Sequence, residues 1–408
     1  MDTKILELEA KGCFDFFWNE ANTDPKSKGF GIIRDNTAAD SKNMGSIASV
    51  GFGLSAIIIG IERNWISYKD GYDRTLGTLT TFYEHAEHSE GFFYHFLQLE
   101  NAKKYEAFYD CASIIDTSIF LNGAVTSAEY FGGEIKNLFE KIYKRVNWVN
   151  YYDKDKNLYY MGYNPETGGF GHWDMYAEQL MQYILGTASP TYPVPTNIYK
   201  GFSRDTVKYG ELEFRHSPGG ALFTHQYSHA WFNFKVVEDD DGINWFNNSV
   251  KATLAAKQYC NDNPDNFKTF AESEQAWGLT ACDGPFGYKA YGAGPFHPSC
   301  DKFINDGTLA PAAAAGSIVF TPVQSIAALN YFYQNVPELW GKYGFLDSYN
   351  RDVSPNWVSD RVIGIDKGVT LLMIENYQSG LIWDLYSSNK YIKKGAEVLG
   401  WKPSGVKK

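Results

Sequence analysis

The stretch NMGSIASVGFGLSAIIIGI, residues 43–61, carries no charge and is apolar on nearly every face of a helix. Its length approaches a membrane span, but its glycine and polar residues lower its hydropathy, and Glu62 and Arg63 follow at once. A helix buried between other helices is therefore expected, and no membrane association. Residues 114–125 and 310–329 have the same character, whereas EIKNLFEKIYKRVNW is amphipathic and suits an outer position. Apolar residues at three and four spacing recur near 4–21, 44–63, 69–88, 112–131, 135–149, 174–186, 225–235, 244–261, 310–319, 322–335, 366–376 and 379–399. Helices apolar all round need a second layer to cover them. An inner ring alternating with an outer ring predicts an all-α (α/α)6 barrel, a single domain over 1–408. An α-solenoid would need a fixed-period repeat, and none is visible. The long Gly-, Pro- and Tyr-rich connections 25–41, 89–111, 150–173, 187–224 and 262–309 would form a cleft at one end, with short hairpins at GFFYHFL and NLYYMGY.

Charge and cysteine content narrow the partners. A net charge of −11 without a basic patch disfavours nucleic acid and anionic membrane surfaces. Five cysteines with no C-x-x-C pair describe reduced thiols and not a disulfide framework. The N-terminus runs directly into a helical pattern with no charged-then-apolar leader, so a cytoplasmic location is expected, with secretion open if a leader has been trimmed; a monomer is a separate expectation that no sequence feature carries. Aromatic residues make up 17% of the chain. Flat apolar faces suit stacking on sugar rings, although a large helical core would use them too.

The segment LFTHQYSHAW places His225 and His229 four apart, one residue short of a zinc-protease motif. Gln226 stands where that chemistry needs a glutamate to take a proton from metal-bound water, and no third ligand follows at helical spacing. No metal and no cofactor are expected. A helix lining a wet, aromatic-walled cleft is the alternative.

The carboxylates sort by their company. Asp116 in SIIDTSIFLNGAV opens an apolar helix, where an N-cap is its ordinary role. Glu178 in GHWDMYAEQLMQYILG follows a glycine- and aromatic-rich loop, and Asp174 is the expected cap, leaving Glu178 free. Asp283 in WGLTACDGPFGYKAYG lies in a loop with Tyr288, and Asp366 in GIDKGVTLLMIENYQSG begins a helix with Glu375 and Asn376 further on. Glycoside cleavage needs one protonated carboxyl and one ionised carboxylate, which this set can supply. No G-x-S-x-G elbow or phosphate-binding glycine loop competes.

GIIRDN, SIASVGFGLSAIIIGIERNWIS, IIDTSIFLNGAVTSAEYF, YAEQLMQYILGTASPTYPVP, LFTHQYSHAWFNF, WFNNSVKAT, WGLTACDGPFGYKAYG, DGTLAPAAAAGSIVFTP and IDKGVTLLMIENYQSGLIW occur in this order. Together, from about residue 28 to 400, they resemble the glycoamylase-domain proteins, which include glycoside hydrolase family 144, the bacterial β-1,2-glucanases. The resemblance implies an (α/α)6 barrel and metal-free hydrolysis of β-1,2-linked glucan or sophoro-oligosaccharides. It implies Glu178 as the acid, Asp366 as the base by location, and Asp116 as an alternative acidic cleft residue. It also implies that Gln226, His229 and Trp231 contact sugar; Asp283, Tyr288, Glu375 and Asn376 complete the expected substrate-binding set. Two positions depart from the family pattern: Tyr192 in SPTYP, where a histidine is common, and Gln378 in ENYQSG, where an arginine is common.

Inversion is the expected outcome, which sets the two carboxyls roughly 6.5–9.5 Å apart, against about 5 Å for retention. Three other readings stay open: an α-glucan hydrolase, a sugar epimerase using the His225–His229 pair, and a carbohydrate-binding protein without the reaction.

Overall fold

The computed structural model describes residues 3–106, 111–296 and 305–405. Its α-helices are α1 (Lys4–Asn19), α2 (Ile47–Glu62), α3 (Tyr68–Glu84), α4 (Ile114–Phe131), α5 (Gly133–Arg145), α6 (Leu180–Ala188) and α7 (Tyr227–Trp231). There follow α8 (Trp245–Asp262), α9 (Lys268–Ala271), α10 (Pro311–Ala315), α11 (Pro322–Asn335), α12 (Gly364–Gln378), α13 (Leu381–Ser388) and α14 (Lys390–Val398). Strands are short antiparallel pairs, the longest being Leu158–Asn164 against Gly168–His172.

Six helices form a closed circuit. α2 packs on α4, α4 on α6, α10 on α12, and α12 on α2. The joins on either side of α7 are hydrogen bonds. The Met181 amide donates to Ser228 Oγ at 3.1 Å, and Gln226 Nε2 donates to the Ala313 carbonyl at 2.9 Å and to Ser317 Oγ at 2.8 Å. Outside this ring lie α1 against α2 and α12, α3 and α5 against α4, α8 beside the segment leading into α7, α11 against α10, and α13 and α14 against α4 and α6. This is the (α/α)6 arrangement. Of the apolar stretch 310–329, only its first part, α10, is an inner helix; α11 lies outside. The expected helix 379–399 is two helices, because Asn389 ends α13 and caps α14 through Tyr391 N.

The tightest crossing of the ring depends on two glycines. A Cβ on Gly123 would sit 2.0 Å from the Gly51 carbonyl oxygen, and one on Gly51 would sit 2.4 Å from the Ile119 oxygen. Backbone meets backbone there, so the all-round apolar character of α2 and α4 is matched by close approach. The aromatic excess is largely core: Trp148, Trp231, Trp245, Trp277, Tyr143, Tyr151, Tyr159, Tyr176, Tyr183 and Tyr199 are fully buried. Among the described residues, no helix is long and apolar enough to cross a membrane.

Candidate active site

Inner helices separated by outer ones that run back point their N-termini to the same end of the barrel. That end gathers the acids. Asp116 is in the first turn of α4, Glu178 directly precedes α6, Tyr227 opens α7, and Asp366 is in the first turn of α12. Their convergence is seen at the buried Tyr227 phenol. It is pushed far above its ordinary range, first by burial and then by the acidic groups around it, Asp366, Glu178 and Asp116 among them.

Asp116 is not the N-cap of α4. Ser113 takes that position: its oxygen accepts from the Asp116 amide at 3.3 Å while its hydroxyl donates to the Asp116 carboxylate, a reciprocal capping pair. His95 Nε2 stands 3.5 Å from the other carboxylate oxygen. Asp174 does not cap α6 either; Gln179 is at the N-cap position, and the Asp174 carbonyl accepts from the Ser203 amide.

Glu178 is buried and its carboxyl is raised to about 7. Burial is the main cause and the nearby Asp116 adds to it, while a hydrogen bond with its own backbone works the other way. A carboxyl poised near neutrality can hold a proton and release it.

On the opposite wall, Asp366 and Asp347 are both buried and line one small cavity together with Glu9 and Lys367. Asp347 is raised to about 7 by burial, and Asp366 is raised well above its ordinary value by burial and then by Asp347. Behind them, Asp283 pairs with Arg361 Nε at 2.8 Å and accepts from the Ser359 hydroxyl at 3.2 Å. Asp283 is thus held by an ion pair and not by a simple loop turn, and its amide donates to Asp347 Oδ2 at 2.6 Å. Tyr288 leaves half its surface open at the rim, yet its phenol is crowded by burial and by Asp366, Asp347 and Asp35. Asp35 accepts from Asn36 Nδ2 at 2.8 Å and lies within electrostatic reach of His95, Asp116 and Arg361, so it bridges the two walls.

Four of the expected sugar contacts are placed elsewhere. Gln226 is consumed by its bonds to α10. His229 is enclosed by Phe234, Phe246 and Phe320 with Nε2 3.1 Å from Ser249 Oγ, and burial holds its ring neutral. Trp231 lies on Phe52 with its indole N–H donating to Ser55 at 3.0 Å. Asn376 donates to the Ala230 carbonyl. The reason is common to them. α7 is an inner helix packed by α12 and α13 and tied to α6 and α10, so of its segment only Tyr227 is seen to reach the acids. His225 is likewise buried, with its pKa lowered to about 3 by burial and by His216. Neither histidine is available as a surface base, which removes the support for an epimerase.

Glu375 pairs with Arg63 at 2.7 Å near the C-terminus of α12. It lies nine residues from Asp366, roughly 13 Å along the helix. The two departures from the family pattern fall at that far end too. Gln378 donates to Glu7 and accepts from Arg63, and Tyr192 follows the C-terminus of α6. Neither adjoins the acids. The sequence reading missed Asp35, His95, Tyr227, Asp347 and Arg361. Asp347 in GFLDSYN has the same apolar and aromatic company that singled out the other carboxylates, and Tyr227 stands between the two histidines that drew notice instead.

The Glycoamylase family model, described as "Putative glucoamylase", matches residues 171–390, more than half of the chain. An exo β-1,2-glucooligosaccharide sophorohydrolase (non-reducing end) of Parabacteroides distasonis is 29% identical over 98% of the chain, which spans 58% of that relative's length. An endo-β-1,2-glucanase of Chitinophaga pinensis, solved with sophorotriose and glucose, superposes with a TM-score of 0.86 at 27% identity, covering 98% of each chain. A β-1,2-glucanase of Parabacteroides distasonis gives 0.85 at 26% identity, over 98% of this chain and 60% of that one. The (α/α)6 ring, the acids gathered at its inner N-termini and these matches agree: the chain belongs to the glycoamylase family.

Proposed function

We propose that this chain is a glycoside hydrolase acting on β-1,2-linked gluco-oligosaccharides or glucan by inversion. Glu178 protonates the glycosidic oxygen, and Asp366 activates the attacking water, directly or through a substrate hydroxyl. Asp116, bonded by Ser113 and faced by His95, keeps Glu178 protonated through its charge and is the second candidate for the base. Arg361 and Tyr288 at the mouth are placed to meet sugar hydroxyls.

The observation that carries the reading is that Glu178, Asp116 and Asp366 are all buried at the starts of inner helices, with the buried Tyr227 at the start of a fourth. Carboxyls so crowded cannot all ionise, and their split into neutral and charged members is what acid–base cleavage of an acetal requires. The substrate linkage rests on the relatives, among them a sophorohydrolase and an endo-β-1,2-glucanase. The same chemistry on α-glucan would need only a different subsite shape.

The test is sugar release by wild type and Glu178→Gln on linear β-1,2-glucan, sophorotriose, maltotriose and laminaritriose. Release from the β-1,2 substrates alone, lost in the variant, supports linkage and acid together. Release from maltotriose instead assigns the protein to α-glucan, and release from none points to another linkage or to a binding protein.

A further inference from the structure

Asp347 belongs to no helix. It lies in the loop between the short strands Gly344–Phe345 and Tyr349–Asn350, yet it is only 4% exposed and is fixed from two sides. Its amide donates to the Arg361 carbonyl at 3.0 Å, and its Oδ2 accepts from the Asp283 amide at 2.6 Å. That leaves Oδ1, which no conventional donor reaches; Asp366 Oδ2 is in the same condition. Both carboxyls line the same small cavity, so a proton on one is the donor within reach that the other lacks. Next to them Lys367 Nζ lies 2.8 Å from Glu9 Oε1, both side chains at 6% exposure or less.

Two ionised carboxylates in contact, with water excluded, repel strongly, so such a pair keeps one proton between them. The Glu9–Lys367 ion pair is neutral in sum and lies close enough for Lys367 to favour a single negative charge on the pair.

We propose that Asp347 is a positioning residue for the reaction, sharing one proton with Asp366 so that the base is a monoanionic pair and not a lone aspartate. The proposal rests on the hydrolytic reading above and deepens it. In the step, water oxygen bonds to the anomeric carbon as the bond from that carbon to the leaving oxygen breaks. The leaving oxygen takes the Glu178 proton. The water proton passes to one oxygen of Asp366 while the proton already on Asp366 moves to Asp347. The cycle ends with two protons on the pair and an ionised Glu178, and one proton returns between them through solvent.

Two measurements test it. Asp347→Asn keeps an oxygen for the Asp283 amide and so preserves the loop, but it cannot accept the moving proton. It is expected to lower kcat roughly 10- to 100-fold with KM within about twofold, and Asp347→Glu to recover part of the loss. An unchanged kcat, or a change confined to KM, overturns the proposal. The second readout needs no turnover. In the Glu178→Gln background, infrared difference titration follows the protonated-carboxyl stretch of buried aspartates. Adding Asp347→Asn removes a charge and an acceptor from Asp366, so the midpoint of that band must fall; a midpoint that stays or rises overturns the shared proton. A wild type inactive on every glucan would defeat the hydrolytic reading, and the infrared midpoint would still decide the pairing.

Discussion

The Ser228 hydroxyl donates to the Glu178 carbonyl at 2.5 Å while its oxygen accepts from the Met181 amide at 3.1 Å. One side chain of α7 thereby clamps the turn that carries Glu178 into α6. Ser228→Ala frees that carbonyl and that amide in a buried place, which costs about 1–3 kcal/mol of stability. It should also lower kcat several-fold by loosening the acid, since small misplacements of a catalytic group are expensive. Denaturant melts and initial rates on a β-1,2 oligosaccharide check both; an unchanged kcat would show that the clamp has no part in placing Glu178.

The pH dependence of kcat/KM follows from the acid. In the proposed role Glu178 acts in its protonated form, so activity is expected to fall as pH rises through about 7. The nearby charge of Asp116 contributes to that value. Asp116→Asn is therefore expected to move the alkaline limb to lower pH, whatever it does to the height of the profile. A limb that moves upward, or not at all, contradicts this coupling.

Glu178 also makes stability depend on pH. Unfolded, it ionises near its ordinary value of 4.5, whereas folded it stays neutral to about 7. Between those values the unfolded chain has released a proton that the folded chain keeps, so this group lowers stability as pH rises, and the loss is complete above the upper value. Glu178→Gln removes the effect. The variant should be more stable than wild type by up to about 3 kcal/mol near pH 8 and equal to it near pH 4. Melts at the two pH values decide; a gain of the same size at both would point to packing instead.

Gly123→Ala is expected to destabilise by at least the 1–3 kcal/mol usual for overpacking, because the new methyl meets the Gly51 carbonyl at 2.0 Å and backbone cannot rotate aside. Gly133→Ala is the control: nothing lies within 4 Å of its added carbon, although its φ of +52° makes alanine mildly strained there. The two midpoints should differ clearly. Equal losses would mean that α2 and α4 can separate at little cost.

The barrel was legible because buried helices lack a polar face, and α2 and α4 show this directly in their residues. Glu178 and Asp366 stood out because a carboxylate in apolar and aromatic company is costly unless it has a task, and both are indeed buried. Long-range pairing was not legible. Nothing in LFTHQYSHAW tells that Gln226 meets Ser317 or Trp231 meets Ser55, so both looked like parts of a wet wall when they are tied into the helix packing, while Tyr227 between them reaches the acids. Helix ends caused similar errors. Asp116 and Asp174 both stood where a cap was plausible, but Ser113 and Gln179 took those positions. Glu375 and Asn376 shared a helix with Asp366, and the length of α12 carries them to the other end of the ring.

The ion pair between Glu9 and Lys367 joins the first helix to the last inner one. During synthesis, α1 leaves the ribosome with its apolar face and Glu9 uncovered. At ordinary elongation rates the lysine follows roughly 20 s to a minute later. The ring therefore cannot close until α12 has been made, and its final joint has the large sequence separation that slows folding. Asp347 and Asp366 lie at that joint, so a nascent chain brings them together late, and loss of Glu9 would be felt at residue 366.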